Sequence, residues 1–136
     1  AQNNNRIDIC KENYTTLFGG EALTGKGTDP EFMDILQKFI FGEVFTVGNL
    51  DNKQRELITC TVLSVMQTLP QLKSHAAAAL NGGVPPVELR EAIYQCTPFI
   101  GFPRTLNALS VINEVFREKG IALPREAQGT TTEENR

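Results

Sequence analysis

The chain has 136 residues, of which 40% are hydrophobic and 21% are charged, and its formal net charge is −3. This composition is typical of a protein that buries one core in one domain. Contacts to phosphate groups need clustered Lys and Arg, which this acidic chain lacks, so nucleic acid is not an expected partner. No apolar run approaches the roughly 20 residues of a membrane-spanning helix, so a membrane is not expected either.

The first half of the chain predicts three helices. The stretch RIDICKENYTTLFGG is expected to form one that ends at the glycine pair 19–20. In TDPEFMDILQKFIFGEVF, a Thr-Asp pair can cap a helix, Pro30 suits its first turn, and apolar residues then recur at helical spacing. Asp51 or Asn52 can cap the third helix, whose apolar residues predict one broad inward face. The residues of this face are Leu57, Ile58, Thr61, Val62, Val65 and Met66.

The second half predicts three more helices. One is expected from about Pro70 through HAAAALN to the glycine pair 82–83. VPPVELREAIYQCTPFIG repeats this design from the proline pair 85–86, and FPRTLNALSVINEVFREKG starts again at Pro103 and ends at Gly120. No segment alternates like a strand for long. The predicted fold class is therefore all-α, a single-domain bundle of five to six helices joined by short Pro and Gly turns.

The two ends of the sequence differ from its middle. Residues 1–5 are polar and residues 125–136 show no apolar periodicity, so both are predicted to be flexible tails around a helical domain at 6–124. The sequence begins with Ala1 and Gln2 instead of Met. Removal of an export signal and a trimmed chain both explain this start, so the cytoplasm and the exterior stay open as compartments.

Three cysteines, Cys10, Cys60 and Cys96, are too few and too widely spaced for a disulfide framework or a CxxC motif. They are predicted to be buried free thiols. A disulfide between one pair, with the third thiol left over, is the alternative for an exported protein.

The single histidine of the chain, His75, falls in the predicted fourth helix, and Glu56 lies early in the third. If the turn at 69–70 reverses the chain, these two helices pack as neighbours. A carboxylate that holds an imidazole fixes its tautomer, and such a pair can move protons near neutral pH. A histidine that a carboxylate holds for structural reasons alone is the competing interpretation.

Several motifs in residues 32–116 together resemble the carboxymuconolactone decarboxylase family. They are a helix that ends in GEVF, the HAAAALNGGV helix with its terminal glycines, the acidic ELREAI helix and the GFP turn. The resemblance implies an all-helical, alkylhydroperoxidase D-like fold. It also implies a ring-like homo-oligomer, commonly a trimer or hexamer, with active sites near subunit contacts.

One branch of this family, alkylhydroperoxidase D, uses a glutamate, a CxxC pair and a histidine to activate a thiolate. Glu56 and His75 match the outer members of that motif, whereas Thr68 and Gln71 stand at its cysteine positions. Neither side chain can supply a thiolate, so the dithiol mechanism is excluded.

The decarboxylase branch is similar to this chain in lacking the CxxC pair, and it needs no metal or organic cofactor. Its reaction removes CO2 from a carboxylated unsaturated lactone and leaves a dienolate-like charge that must be stabilised and protonated. His75 is the candidate acid and base, Glu56 its orienting partner, and Glu43 of GEVF a second candidate carboxylate. Arg55 and Arg104 are candidates for binding a substrate carboxylate, with solvated helix-end charges as the alternative.

The chain departs from the decarboxylase pattern at two positions. Phe99 replaces the tyrosine of YxGxP, and Glu56 stands where decarboxylases often have a small residue. The expected function is a cofactor-independent lyase for a small carboxylated substrate such as a lactone, with no metal. The alternatives are a thiol-dependent peroxidase that uses Cys60 or Cys96, and a non-catalytic helical oligomer.

Five phenylalanines are expected in the core or at a subunit contact rather than around a pocket: Phe39, Phe41, Phe45, Phe99 and Phe102.

Overall fold

The structure, a computed structural model, describes residues 2–123. Within this range six α-helices follow one another, joined by turns and loops that include one short 3-10 helix. The helices are α1 (Gln2–Phe18), α2 (Pro30–Gly42), α3 (Asn52–Met66), α4 (Leu69–Asn81), α5 (Pro86–Gln95) and α6 (Thr97–Glu118), and the 3-10 helix is η1 (Val44–Thr46). The prediction of an all-α bundle is confirmed. Residues 2–5, predicted to be a tail, belong to the first turn of α1. The predicted tail at 125–136 lies outside the described residues.

Proline and capping residues set the helix starts that the sequence predicts. Pro30 and Pro86 occupy the first position of α2 and α5, where the missing N–H leaves no hydrogen bond unmade. At the start of α3, the Asp51 carboxylate accepts a hydrogen bond from the Gln54 backbone N–H at 2.8 Å, and the Gln54 side chain accepts one from the Asp51 N–H at 3.0 Å. This capping box fixes the end of α3 that carries Glu56.

Helix α4 lies between two hydrophobic clusters. Ala76 and Ala79 belong to a larger cluster with residues of α3, α5 and α6, whereas Ala78 belongs to a smaller one with residues of α1 and α2. Alanine side chains allow neighbouring helices to approach α4 closely on both sides. A side chain on α4 is therefore held in place from several directions.

Helix α1 crosses α2 at Gly42. A Cβ atom at this position would lie 2.7 Å from the backbone oxygen of Arg6, so only glycine permits the close approach. The Asn13 side chain also donates to the Phe41 backbone oxygen at 2.8 Å. These contacts hold the aromatic residues of α1 beside α2.

The predicted inward face of α3 is wrong for four of its six residues, which are largely exposed: Ile58, Val62, Val65 and Met66. Glu56, Cys60 and Ser64, spaced four residues apart, are the buried residues of this helix. The two polar members have partners, because Glu56 contacts His75 and the Ser64 hydroxyl donates to the Cys60 backbone oxygen at 2.7 Å. Helix α3 therefore turns a small and polar face inward and an apolar face outward.

Helix α6 is interrupted near its start. Gly101 has φ 82° and ψ 165°, a conformation open to glycine, and the helix proper continues from the predicted start at Pro103. Within the described residues, no helix has the length and apolar character needed to cross a membrane. All three cysteines are free and buried, as predicted.

Candidate active site

The turn between α3 and α4 brings the two residues of the proposed pair into contact. Nδ1 of His75 lies 2.8 Å from Oε2 of Glu56. The Glu56 side chain is completely buried, whereas 20% of the His75 side chain is exposed. The structure thus places a buried carboxylate behind an imidazole that reaches the surface.

An aromatic ring of α1 packs against the imidazole. The ring of Phe18 meets that of His75 edge to face, with centroids 5.5 Å apart, and Phe18 also packs against Phe41 and Tyr14. Burial raises the pKa of the Tyr14 phenol, so its hydroxyl stays protonated at neutral pH. Packing and the carboxylate together restrict rotation of the His75 ring.

His75 opens onto a cleft of about 640 Å³ that α1, α2 and η1 form with α3 and the first half of α4. A cleft of this size suits a small organic molecule. Its lining residues are Tyr14, Phe18, Met33, Leu36, Gln37, Ile40, Phe41, Val44, Phe45, Thr59, Leu63, Pro70, Gln71, Ser74 and His75. The Nε2 atom of His75 makes no hydrogen bond to the described residues, so it is available to a ligand.

The walls of the cleft are mainly apolar. Among the described residues that line it, none is a lysine, an arginine, an aspartate or a glutamate. A protonated His75 would therefore be its source of positive charge. Gln71, one of the two residues at the cysteine positions of the peroxidase motif, lies on this lining as an uncharged side chain.

Arg55 stands behind the wall of the cleft and does not line it. Its guanidinium donates to the backbone oxygens of Leu50, Val44 and Val47 at 2.8, 2.9 and 2.6 Å, and it lies 5.9 Å from the centre of the Phe45 ring. Since successive residues of a helix point about 100° apart, Arg55 cannot share the direction of its neighbour Glu56. Arg55 fastens the segment that carries two lining residues, and its role in substrate binding stays a prediction.

Glu43 and Arg104 also lie outside the lining of the cleft. Oε1 of Glu43 is 2.9 Å from Nε of Arg6, an ion pair at the surface. Arg104 is exposed on α6, and its backbone oxygen accepts a hydrogen bond from the Gln67 side chain at 3.0 Å. Neither residue is brought to His75 within this chain, so their substrate-binding roles remain predictions.

The two thiols considered for peroxide reduction are buried away from the cleft. Burial, reinforced by the nearby charge of Glu56, raises the pKa of the Cys60 thiol. Burial also raises the pKa of Cys96, whose Sγ donates to the Ala92 backbone oxygen at 3.4 Å. A thiol that stays protonated is a poor nucleophile, so these environments disfavour a thiol peroxidase.

Sequence reasoning missed several residues of the cleft. Tyr14 and Phe18 lie on α1, far from His75 in the sequence, and no local sequence pattern predicts that they line the same cleft as His75. Gln37 was detectable in principle, because it interrupts the apolar side of α2 that carries Met33 and Phe41 at i−4 and i+4. Phe41 and Phe45, predicted not to surround a pocket, do line this one, whereas the other three phenylalanines of that group are exposed.

The segment that builds most of this site matches a known family. The model of the carboxymuconolactone decarboxylase family covers residues 30–114. The chain belongs to this family. The match begins at α2 and includes both Glu56 and His75, whereas α1, which supplies the aromatic wall, precedes it.

Two relatives within this family are decarboxylases by name. The 4-carboxymuconolactone decarboxylase of Acinetobacter baylyi is 34% identical over 92 residues, which cover 68% of this chain and 69% of the relative. The nitrosuccinic acid decarboxylase of Metarhizium robertsii is 27% identical over 85 residues, 62% of this chain and 59% of the relative. An uncharacterised 15.0 kDa protein of Paracoccus denitrificans is 34% identical over 88 residues, 63% and 65% of the two chains. The chain thus spans less than two thirds of the second and third relatives.

Proposed function

We propose that this protein is a cofactor-independent decarboxylase of a small carboxylated substrate, in which His75 transfers the proton and Glu56 orients the ring. The observation that carries the proposal is the 2.8 Å contact between a fully buried carboxylate and an imidazole that opens onto a cleft. Membership of the decarboxylase family supports the reaction class. The two relatives named as decarboxylases act on different acids by their names, so the substrate itself belongs to the proposal.

In the proposed mechanism the two nitrogens of the imidazole have different tasks. An ionised carboxylate only accepts hydrogen bonds, so Nδ1 of His75 donates its proton to Glu56. In the neutral ring this leaves the lone pair of Nε2 on the side of the cleft. Nε2 can then take up a proton, and the buried carboxylate stabilises the imidazolium that forms.

The proton held on Nε2 completes the reaction. The bond between the substrate carbon and its carboxylate breaks, CO2 leaves, and the electron pair stays on the carbon, delocalised into a neighbouring carbonyl or similar group. Nε2 of His75 then protonates this carbon or, in a dienolate, the carbon conjugated with it, and the ring returns to its neutral form. Each turnover of a carboxylate consumes one proton from solvent, and His75 is the group that delivers it.

The two alternative functions receive less support. Peroxide reduction by Cys60 or Cys96 needs an accessible thiolate, whereas both thiols are buried and have raised pKa values. A non-catalytic module would be favoured by a histidine sealed inside the protein, whereas His75 lines an open cleft.

Assembly into a homo-oligomer is part of the proposal. Large apolar side chains on α3 and α6 are exposed in the single chain, and exposed apolar surface of this kind marks protein contacts. These residues are Ile58, Val62, Val65, Met66, Phe99, Phe102 and Leu106.

Decarboxylation in D2O tests the proposed function. The wild-type protein and His75→Gln, which keeps a polar side chain but removes the acid and base, are incubated with 4-carboxymuconolactone and with nitrosuccinate. We expect CO2 and a product that carries one deuterium, either at the former carboxylated carbon or, for the dienolate of the lactone, at the carbon conjugated with it. We also expect a loss of about 10²- to 10⁴-fold in kcat for the variant. Thermal melting and particle size should stay unchanged. Full activity of His75→Gln, or no CO2 from either acid, would contradict the proposal.

A further inference from the structure

Gln37 has a buried carboxamide that makes no hydrogen bond to the part of the chain that the structure describes. The residue lies on α2 and lines the cleft, although only 3% of its surface is exposed. Its Oε1 atom is shielded from solvent and has no hydrogen-bond partner among the described residues. The backbone oxygen accepts a hydrogen bond from Cys10 Sγ at 3.2 Å, but the side-chain nitrogen donates to none of the described residues.

An unpaired amide at this position lowers the stability of the fold. Moving an amide out of water without a compensating hydrogen bond is unfavourable, and the neighbouring lining residues Met33, Leu36 and Ile40 are apolar. A leucine or methionine of similar size would suit these surroundings better. Packing of the protein therefore does not explain why a polar side chain occupies this position.

The position of the amide provides that explanation. The side-chain nitrogen Nε2 has no hydrogen-bond partner among the described residues and is not fully shielded from solvent, so the small accessible part of the carboxamide includes its N–H groups. They lie on the α2 wall of the cleft, whereas the α4 wall carries His75. A molecule in the cleft thus meets a neutral hydrogen-bond donor from one helix and the imidazole from another.

We propose that Gln37 is a substrate-binding residue whose Nε2–H donates to a carbonyl or carboxylate oxygen of the substrate. This proposal rests on the proposed decarboxylase function and names the group that holds the substrate against α2 while its reacting carbon faces His75. A neutral donor suits a lining without lysine or arginine, because it binds an oxygen without adding charge to the cleft.

Binding of two probes tests the proposal without any turnover. Succinate supplies carboxylates and γ-butyrolactone supplies a lactone carbonyl alone, and each is titrated calorimetrically into the wild type, Gln37→Leu, Gln37→Glu and the control Gln95→Leu. Gln95 is an exposed glutamine at the end of α5, away from the cleft lining.

We expect Gln37→Leu to weaken the binding of at least one probe about tenfold, the loss of one hydrogen bond, and Gln95→Leu to leave binding unchanged. Gln37→Glu should weaken succinate further, because two carboxylates then face each other. A loss confined to succinate identifies the bound oxygen as a carboxylate, and a loss confined to the lactone identifies it as a carbonyl. Unchanged binding in both Gln37 variants, or no binding of either probe to the wild type, overturns the proposal.

Thermal melting separates this role from a structural one. If the amide serves the ligand, Gln37→Leu should melt at the same or a higher temperature than the wild type, because an unpaired buried polar group is removed. A lower melting temperature with unchanged probe binding would show that Gln37 supports the fold, for example through a bound water, and would overturn the proposal. His75→Gln should still bind the uncharged γ-butyrolactone while losing turnover, so failure of the decarboxylase function and failure of this inference give different results.

Discussion

Replacing Glu56 by Gln tests whether the buried carboxylate works through His75. Glutamine has almost the same size and shape as glutamate, so it fills the same fully buried space and removes only the charge. It also changes the hydrogen-bonding options at Nδ1 of His75, 2.8 Å away, because an amide can donate as well as accept. When the amide donates, the ring proton moves to Nε2, and the neutral ring can no longer take up a proton from the cleft.

The magnitude follows from the contact. A hydrogen bond to a charged group contributes about 1.5 to 3 kcal/mol and a neutral one about 0.5 to 1.5 kcal/mol, so the change costs about 1 to 2 kcal/mol in holding the imidazolium. Since 1.4 kcal/mol is about tenfold, this term lowers kcat about 5- to 30-fold. The wrong tautomer lowers it further, and we expect a total loss of about 10- to 100-fold. The melting temperature should change little, because packing is preserved.

The assay compares kcat for Glu56→Gln, His75→Gln and the double variant, with Glu91→Gln on the exposed side of α5 as the matched control. If Glu56 acts only through His75, the double variant should be no slower than His75→Gln alone. Wild-type activity of Glu56→Gln would refute the reasoning. A double variant in which the two losses multiply would also refute it, because Glu56 would then act independently of the ring.

Three further predictions concern other parts of the molecule. The raised pKa values of Cys60 and Cys96 keep both thiols protonated at neutral pH, so iodoacetamide should label them only after the protein unfolds. One equivalent of peroxide should leave no sulfenic acid that mass spectrometry can detect at these cysteines. Rapid labelling of either cysteine in the folded protein would contradict this prediction. Arg55→Ala should lower the free energy of unfolding, measured in urea, by about 1 to 3 kcal/mol, because three backbone oxygens lose their donor. Arg104→Ala, at an exposed position of α6, should leave this free energy unchanged. Equal effects of the two variants would disprove the structural role of Arg55. Light scattering should show an oligomer for the wild type and a smaller particle for Val65→Glu, because this variant places a charge on the exposed apolar side of α3. A monomeric wild type would exclude the assembly.

The helices were predictable because their signals are local. Prolines suit the first turns, glycines end helices, and Asp51 caps α3, so most starts follow from a few adjacent residues. The inward face of α3 was not predictable in the same way. Hydrophobic periodicity marks a face that avoids water, but it does not distinguish the core of a chain from a surface exposed in the single chain, as Val62 and Val65 show.

In the candidate site, too, the contacts set by local sequence were predictable and those set by helix packing were not. The contact between Glu56 and His75 was anticipated because a short turn joins their helices. The contacts of Arg55 and Gln37 depend on how the 3-10 helix and α2 pack against the rest of the protein. The spacing of residues along the chain does not predict this packing. The contribution of Phe18 depends on how α1 crosses α2, a contact fixed by the close approach at Gly42.

Nitrogen NMR of the imidazole tests the central claim most directly. Since His75 is the single histidine in the sequence, a protein without a histidine tag and labelled with ¹⁵N-histidine gives one pair of ring signals that needs no assignment. For the neutral ring we predict a protonated Nδ1 and an unprotonated Nε2, with both signals altered in Glu56→Gln. A neutral ring with its proton on Nε2, or signals that Glu56→Gln leaves unchanged, would contradict a carboxylate-held imidazole that presents Nε2 to the cleft.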